Sequence, residues 1–262
     1  MEITREFLIR YYSEQNEDEQ RMYGADRLRE HVQSFRLREI AAFAVKHLPF
    51  SPCSRLVDLG CGDGYATERA LGGQARSSCV GIDLSLPKLR TMTGRLVRSY
   101  GLAADAEFVP LKSASFEIVL CLELLEHVLE PLALLKEIRR LMRRDARCII
   151  SAPADSLLQP ALVDALSRLK HWDRRQRQFH EHLHFTSIAR LRPMLDKARL
   201  QVVAYELVGF QHPLRAAVAA RMPTQRLYSL ERWVSRRFRF GSFGVGSLTF
   251  GNEYLLLCVR PL

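Results

Sequence analysis

The stretch from Leu56 to Ala66, "LVDLGCGDGYA", constrains this chain more than any other, because glycines stand at every second position directly after a short apolar run. The backbone is accessible where the predicted strand leads into a predicted helix, because Gly60, Gly62 and Gly64 have no side chains. In open α/β sheets, ligands bind at such an edge, beside a helix N-terminus. Asp83, about twenty residues further on, is well placed to accept hydrogen bonds from ribose hydroxyls. Together these features predict a nucleoside-bearing cofactor.

Two cofactors, NAD and S-adenosylmethionine, fit that description, and the glycine spacing separates them. The dinucleotide fingerprint is GxGxxG, whereas Tyr65 stands where its third glycine would fall. This mismatch disfavours a pyrophosphate. A tight strand-to-helix turn without any ligand is the structural alternative.

Short apolar runs alternate with amphipathic segments from Arg55 onward, which predicts parallel strands joined by helices. The fold class is therefore α/β, a Rossmann-like and mostly parallel seven-stranded sheet with helices on both faces. The strands are expected at residues 55–60, 77–83, 106–110, 116–122, 146–153, 200–209 and 253–261.

The segments outside this alternation predict an N-terminal cap and a late insertion. Residues 1–50 contain two helix-like segments, the second from Arg27 to Leu48, and form a helical cap or lid. Residues 51–262 form the main domain. Before the last strand, residues 211–250 are far longer than an ordinary connection, and a basic amphipathic helix is expected there from Gln225 to Arg237.

Several motifs in order resemble the class I S-adenosylmethionine-dependent methyltransferases. "VDLGCGDG" resembles their first motif, "GIDLS" their second, and "ADAEFVPLKSASFEIVLCLELLEHV" their third and fourth. The match continues through "PLALLKEIRRLMRRDARCIISAP" and more loosely to about residue 206. Glu117 stands where the family usually has Asp, and "PLKSAS" replaces a loop usually rich in Pro, Asp and Gly; neither departure touches an expected cofactor contact.

The resemblance implies S-adenosylmethionine as the cofactor and assigns roles to individual residues. Asp58 would hold its amino-acid end, directly or through water. Asp83 would bind the ribose, with Leu84 beside the adenine. Asp105 and the Ala106 amide would read the adenine edge. The implied cofactor-binding set is Asp58, Gly60, Cys61, Gly62, Gly64, Asp83, Leu84, Asp105, Ala106, Leu122 and Glu123.

The segment "CLELLEHV" carries the first candidate catalytic group. On a helical turn, Glu123, Glu126 and His127 share a face and can converge. His127 is a candidate general base, since imidazole titrates near neutral pH. The three side chains are also a candidate divalent-metal site, as in quinone-type O-methyltransferases. In the third interpretation, Glu126 and His127 only cap and orient the turn.

A second cluster is "FHEHLHF", in which His180, His182 and His184 alternate. In an extended segment these three side chains share a face. His180 or His184 is a candidate contact to the acceptor. A structural role and a metal site are the alternatives.

The net charge of +10 and a pI near 9.6 favour an acidic partner such as nucleic acid, anionic lipid or a phosphorylated substrate. The basic residues 225–239 can lie on an anionic membrane surface, cover the acceptor pocket or bind nucleic acid. No apolar run approaches a membrane span, and the N-terminus is too acidic and polar for a secretory signal, so we expect a cytoplasmic protein, with peripheral attachment to the inner face of the membrane as an option.

These observations predict a methyltransferase that acts on an oxygen, less readily a nitrogen or carbon, of a small-molecule, sugar or lipid-linked acceptor. The segment "SAPADS" lacks the Asn/Asp-Pro-Pro-aromatic motif of base-amine methyltransferases, which disfavours nucleic acid. Two alternatives remain: an RNA or protein methyltransferase that uses the basic surface, and a non-catalytic binding protein with this fold.

Overall fold

A computed structural model describes residues 4–14, 27–51, 54–71, 78–154, 187–210, 218, 221–237, 243–245, 248–250 and 254–262. The helices within these residues are α1 (Arg5–Glu14), α2 (Arg27–His47), α3 (Tyr65–Leu71), α4 (Leu86–Arg95), α5 (Pro131–Leu141), α6 (Ile188–Lys197) and α7 (Thr224–Arg237). The strands are β1 (Arg55–Leu59), β2 (Ser78–Asp83), β3 (Ser99–Ala103), β4 (Phe116–Leu122), β5 (Met142–Pro153), β6 (Leu200–Val208), β7 (Phe243–Val245), β8 (Leu248–Phe250) and β9 (Tyr254–Pro261).

Seven strands form one sheet in the order β3-β2-β1-β4-β5-β9-β6. The pairs from β3 to β5 are parallel, and β9 lies antiparallel between β5 and β6. The chain leaves β1 in one direction toward β2 and β3 and later returns to β4 on the other side. The carboxyl ends of β1 and β4 therefore flank a switch point, where open α/β sheets bind ligands.

Helices cover both faces of the sheet, which confirms the predicted fold class. On one face, Leu134, Ile138 and Leu195 of α5 and α6 pack with Val57 and Val119 of the sheet. On the other face α2, α3 and α4 bury their apolar side chains against the alternate strand positions, among them Phe35, Ile40, Ala70, Leu89 and Met92. Because successive strand residues point to opposite faces and both faces are covered, β1 and β4 are buried along most of their length.

The predicted third strand at residues 106–110 is wrong. The strand is β3, whereas Ala106 and Val109 are core residues of the irregular segment that follows it. Arg98, with φ 57°, turns the chain out of the α4 region, so that residues 99 and 100 belong to the strand. Because β3 is at the sheet edge, most of its side chains, such as Tyr100, are exposed, and its sequence has no continuous apolar run that would predict a strand.

The two segments added to the sheet core differ in their contacts. In the N-terminal segment, α2 packs into the same core as the sheet, while α1 lies elsewhere, over the end of β3 and the turn after β4. In the insertion, α7 begins one residue before the predicted start, and β7 and β8 pair as a small separate sheet. Within the described residues, no helix has the length and apolar character needed to cross a membrane. The division at residue 50 stays a prediction.

Candidate active site

The glycine loop after β1 requires glycine at two positions for steric reasons. Gly60 has φ +70°, and a Cβ there would lie 2.8 Å from a Leu124 methyl group. Gly64 has φ +78°, and its Cβ would lie 2.5 Å from Met92. L-residues with side chains adopt this backbone conformation at a cost, so the loop curves tightly with its backbone exposed toward the switch point.

The carboxylate of Asp83, at the end of β2, is fixed by two backbone amides. Gly62 N–H donates to Oδ2 and Ser85 N–H donates to Oδ1, both at 2.9 Å. A carboxylate has about four acceptor positions, so two donors orient the group and leave acceptor capacity for ligand hydroxyls. Asp83 thereby links the glycine loop to the start of α4 and still faces the cavity.

A cavity opens at the carboxyl ends of β1, β2 and β4. Most of the predicted cofactor residues line it, and they supply open backbone, carboxylates and apolar surface: Gly60, Gly62, Asp83, Leu84, Asp105, Ala106 and Glu123. The remaining walls come from α1 and from the turn that carries His127. This set of donors and acceptors fits an adenosine with an attached amino acid. Like most small-molecule sites, the cavity combines apolar walls with a few polar groups that point toward one ligand.

At the β3 end of the cavity, Arg5 of α1 joins two carboxylates. Its guanidinium donates to Asp105 Oδ2 at 3.1 Å and to Glu107 Oε2 at 3.0 Å, and it lies 4.6 Å above the centre of the Phe108 ring. Burial raises the pKa of Glu107, while the Arg5 charge opposes that increase. The backbone amide of Glu130 donates to the other Glu107 oxygen at 3.0 Å. Arg5 therefore fixes one end of α1 to the predicted adenine contact.

At the β4 end, Glu123 follows the strand with φ 53°, a left-handed conformation that is uncommon for a residue with a side chain. Arg36 of α2 donates to Glu123 Oε2 at 2.8 Å, and the Ser151 hydroxyl donates to Oε1 at 2.6 Å. The Glu123 carboxylate is thus held against α2 and β5. Because Glu123 lines the cavity, the positive charge of Arg36 lies directly behind that part of the cavity wall.

His127 lines the cavity, and its two ring nitrogens face different side chains. Nδ1 lies 3.1 Å from the Tyr12 hydroxyl of α1, and Nε2 lies 3.9 Å from Glu126 Oε1. Glu126 is buried behind the imidazole. The Glu123 carboxylate is bound to Arg36 and Ser151. It therefore does not join Glu126 and His127 as a set of metal ligands. Among the described residues, no group of three His, Cys, Asp or Glu side chains could hold a metal ion.

Four residues of the predicted cofactor set do not line the cavity. Asp58 is buried and accepts a hydrogen bond from the Thr67 hydroxyl, so it holds the first turns of α3 beneath the loop. Cys61 is buried against Gly81, and burial raises the pKa of its thiol. Gly64 shapes the loop, and Leu122 packs in the core. The other two candidate catalytic residues, His180 and His184, lie outside the described residues.

The inner face of α1 also lines the cavity, and none of its residues was predicted to belong to the site. Arg5, Leu8, Ile9 and Tyr12 all line the cavity, and they follow the spacing i, i+3, i+4, i+7 of one helical face. That spacing is visible in the sequence, but the sequence does not say which face of the helix meets the cavity. The helix itself was predicted, but the face that would meet a ligand was not.

The fold and this cavity together define a Rossmann-like protein that binds a nucleoside cofactor at the switch point of its sheet. The model of the family described as "Methyltransferase domain" matches residues 28–205, well over half of the chain. The chain belongs to this family, the class I S-adenosylmethionine-dependent methyltransferases.

Curated relatives are similar at low identity. The ubiquinone biosynthesis O-methyltransferase of Xanthomonas oryzae pv. oryzae (strain PXO99A) is 26% identical over 156 residues, 57% of this chain and 63% of that protein. The protein of the same name from Idiomarina loihiensis is 26% identical over 171 residues, 63% of this chain and 68% of that protein. The chain thus spans less than two thirds of the length of the Xanthomonas relative.

Solved structures confirm the fold. The YcgJ protein from Bacillus subtilis superposes with a TM-score of 0.59 at 13% identity, covering 85% of this chain and 98% of that one. A geranyl diphosphate C-methyltransferase from Streptomyces coelicolor A3(2), crystallised with Mg²⁺, a substrate analogue and S-adenosyl-L-homocysteine, superposes with a TM-score of 0.56 at 14% identity, covering 85% and 75% of the two chains. At these identities, the likeness extends to the fold alone.

Proposed function

We propose that the protein methylates a hydroxyl oxygen of a small-molecule acceptor, with S-adenosylmethionine as the methyl donor. The observation that carries this proposal is the position of His127, which lines the same cavity as Asp83 and Asp105. A base beside the cofactor cavity suits a hydroxyl, because the oxygen loses its proton as it is methylated.

The residues of the cavity divide between holding the cofactor and serving the acceptor. Asp83 binds the ribose hydroxyls, Asp105 and the Ala106 amide bind the adenine edge, and the backbone at Gly60 and Gly62 approaches the amino-acid end. Asp58 supports this loop from below. When bound, the cofactor supplies an electrophilic methyl group on a sulfonium, whose departure as a thioether needs no acid. The chain therefore has to orient the acceptor, exclude water and remove a proton.

A lipid-linked or phenolic acceptor is the form of this proposal that the comparisons support, since the curated relatives are named ubiquinone biosynthesis O-methyltransferases. A sugar hydroxyl is the second form. RNA and protein acceptors are the alternatives that the basic surface suggests.

The decisive experiment asks for the acceptor without presupposing its class. A cell extract is incubated with the protein and isotopically methyl-labelled S-adenosylmethionine, and then separated into lipid, small-molecule, RNA and protein fractions for mass spectrometry. Label in a methyl ether of the lipid or small-molecule fraction supports the proposal. Label confined to RNA or protein overturns it, and the absence of binding to S-adenosylmethionine in calorimetry overturns enzymatic activity altogether.

His127 is tested as the base by replacing it with Ala. We expect turnover to fall by roughly a hundredfold near neutral pH, while affinity for S-adenosylhomocysteine stays the same. Full turnover of His127→Ala at every pH would remove the imidazole from the mechanism.

We further propose that the outward face of α7 attaches the protein to an anionic membrane. Leu227 and the one acidic residue of α7, Glu231, are buried, so the exposed face carries arginines and apolar side chains without a carboxylate. Trp233 is 63% exposed and Leu230 is 42% exposed. Exposed arginines beside exposed Trp and Leu are typical of helices that lie in the headgroup region. The outward face comprises Gln225, Arg226, Ser229, Leu230, Trp233, Arg236 and Arg237.

Vesicle sedimentation tests this attachment. The protein should bind vesicles of phosphatidylcholine with phosphatidylglycerol, in a salt-sensitive manner, and not vesicles of phosphatidylcholine alone. Replacing Arg226 and Arg236 by Glu should abolish binding, whereas the double variant Arg90→Glu, Arg192→Glu, with the same change in net charge at exposed positions on α4 and α6, should retain most of it. Equal loss in both variants would reduce the effect to net charge and refute a specific role for α7.

A further inference from the structure

We propose that Tyr12 of the N-terminal helix is a catalytic residue that passes the acceptor's proton to His127. This proposal rests on the methyl transfer to a hydroxyl proposed above. Tyr12 and His127 both line the cavity, and the phenol oxygen lies 3.1 Å from Nδ1 of the imidazole. The two rings meet edge-on, with an interplanar angle of 79°. A residue from outside the methyltransferase sheet thus lies beside the base at the cavity wall.

The orientation of the imidazole makes Tyr12 its link to the cavity. Nε2 faces Glu126, at 3.9 Å from Oε1, and this carboxylate is buried behind the ring. Nδ1 faces the Tyr12 hydroxyl. Because each ring nitrogen already faces a side chain, a hydroxyl in the cavity reaches the imidazole through the phenol oxygen.

The relay needs one particular tautomer of His127. A neutral imidazole carries one ring proton, and a proton can pass from the Tyr12 hydroxyl to Nδ1 only when the ring proton is on Nε2, the nitrogen that faces Glu126. The lone pair then lies on Nδ1, and the Tyr12 hydroxyl is its donor. The imidazole and the phenol thus form a base and hydroxyl pair within hydrogen-bond distance, as in enzymes that activate a hydroxyl with histidine.

The proposed step balances as follows. The acceptor oxygen forms a bond to the methyl carbon, and the carbon–sulfur bond breaks with its electron pair remaining on sulfur. The acceptor proton moves to the Tyr12 oxygen while the Tyr12 proton moves to Nδ1 of His127. The products are a methyl ether, a neutral thioether and an imidazolium at His127. The imidazolium then releases its proton to solvent.

The same helix face explains why Tyr12 is held in this place. Arg5 lies seven residues before Tyr12, or about two turns, and is bound to Asp105 and Glu107 at the other end of the cavity. Leu8 and Ile9 line the wall between them. The polar contacts at both ends fix the rotation of α1, and with it the direction of the phenol.

The hydrogen bond is tested by nitrogen NMR of the labelled full chain with S-adenosylhomocysteine present, which does not depend on turnover. The His127 signals are assigned with His127→Gln. We expect the Nε2–H tautomer of His127 in the wild type, and a changed Nδ1 chemical shift in Tyr12→Phe. The matched control is Tyr11→Phe, which removes a hydroxyl from the neighbouring exposed tyrosine and should leave the Nδ1 chemical shift unchanged. A His127 spectrum that is identical in Tyr12→Phe and the wild type overturns the pair.

The relay is tested by kinetics with 4-octylcatechol as the acceptor. Tyr12→Phe should lower kcat by roughly a hundredfold, and Tyr11→Phe should leave it unchanged. The double variant Tyr12→Phe, His127→Asn should be no slower than His127→Asn alone, because both substitutions interrupt the same proton relay. Equal kcat for Tyr12→Phe and Tyr11→Phe overturns the relay while the methyl transfer stands. No methylation of 4-octylcatechol by the wild type counts against the proposed phenolic acceptor, and the NMR result still decides the Tyr12–His127 pair.

Discussion

The two helices α1 and α7 both lie outside the central alternation of strands and helices, and they are attached to the molecule in different ways. The inner face of α1 lines the cavity, and its polar contacts go to Asp105, Glu107 and His127, which line it too. The inner face of α7 packs on α2 through Tyr228 and Arg232. Among the described residues that line the cavity, none comes from α7.

This difference separates a helix that serves the ligand from a helix that serves the fold. The contact between α7 and α2 centres on Glu39, which is 4% exposed and accepts hydrogen bonds or ionic contacts from the Tyr228 hydroxyl at 2.6 Å and from Arg232 Nε at 3.2 Å. The contact of α1 with the cavity joins Arg5, 34% exposed, to Glu107, 4% exposed, and Arg232 of the α7 contact is itself 36% exposed, so the two ion pairs are buried to the same extent. They differ in what the acid holds: Glu39 is the shared acceptor of two side chains between packed helices, whereas Glu107 keeps the Glu130 amide as a donor when Arg5 is removed. The two helices should therefore respond to substitution in opposite ways.

The largest stability effect is expected at Glu39. Glu39→Ala leaves the Tyr228 hydroxyl and the Arg232 guanidinium without their shared acceptor, and should lower the free energy of unfolding by about 2 kcal/mol. Affinity for S-adenosylhomocysteine should not change, since α7 is remote from the cavity. Urea unfolding and calorimetry measure the two quantities. Arg226→Ala, at an exposed position on α7, is the control and should change neither quantity. A loss of cofactor affinity in Glu39→Ala would contradict the separation.

The opposite response is expected at Arg5. Arg5→Ala releases α1 from Asp105 and Glu107, and should weaken binding of S-adenosylhomocysteine by about tenfold, or about 1.4 kcal/mol, with less than about 1 kcal/mol lost from the free energy of unfolding. Isothermal titration calorimetry measures the affinity, and Arg10→Ala on the exposed side of α1 is the control. A higher affinity in Arg5→Ala would show instead that Arg5 competes with the adenine for Asp105.

Tyr228 tests the α7 contact through pH. Burial, together with the hydrogen bond to Glu39, raises the pKa of Tyr228 from 10.0 to about 12. The folded pKa lies above the unfolded one, so the contribution of this hydroxyl is present below pH 10 and is lost as the pH rises toward 12. Tyr228→Phe should cost about 1 kcal/mol at neutral pH, and the difference from the wild type should shrink above pH 10. A difference that is independent of pH would mean that the phenol contributes by packing alone.

Sequence patterns predicted the cavity residues at the strand ends better than the other walls of the cavity. The glycine loop and Asp83 were predictable because a tight strand-to-helix turn and a polar residue at a strand end recur at fixed spacing in open α/β sheets. The fold followed from alternating apolar runs, except at β3, where an edge position leaves the strand half exposed. The face of α1 toward the cavity could not be chosen without knowing where the helix lies, and the left-handed conformation of Glu123, which turns its carboxylate to Arg36, has no sequence signal in a non-glycine residue.

A third ion-pair cluster, remote from both helices, shows how much an exposed contact contributes. Partial burial would raise the pKa of Glu117, but hydrogen bonds from the Arg55 side chain and amide and from Arg143 outweigh it and lower the pKa from 4.5 to about 2. Because the folded pKa is below the unfolded one, the stabilisation is present above about pH 4.5 and disappears as the pH falls through 2. Both arginine side chains are about half exposed, so solvent screening limits the effect.

We expect Glu117→Gln to lower the free energy of unfolding by no more than about 1 kcal/mol at pH 7, and the difference from the wild type to close as the pH falls from 4.5 toward 2. Urea unfolding across this range measures it, with Glu68→Gln, a carboxylate 46% exposed on α3, as the control. A constant difference at all pH values would show that Glu117 acts through packing. If Arg5→Ala costs no more stability than Glu117→Gln yet weakens cofactor binding, the contacts of α1 serve the ligand rather than the fold.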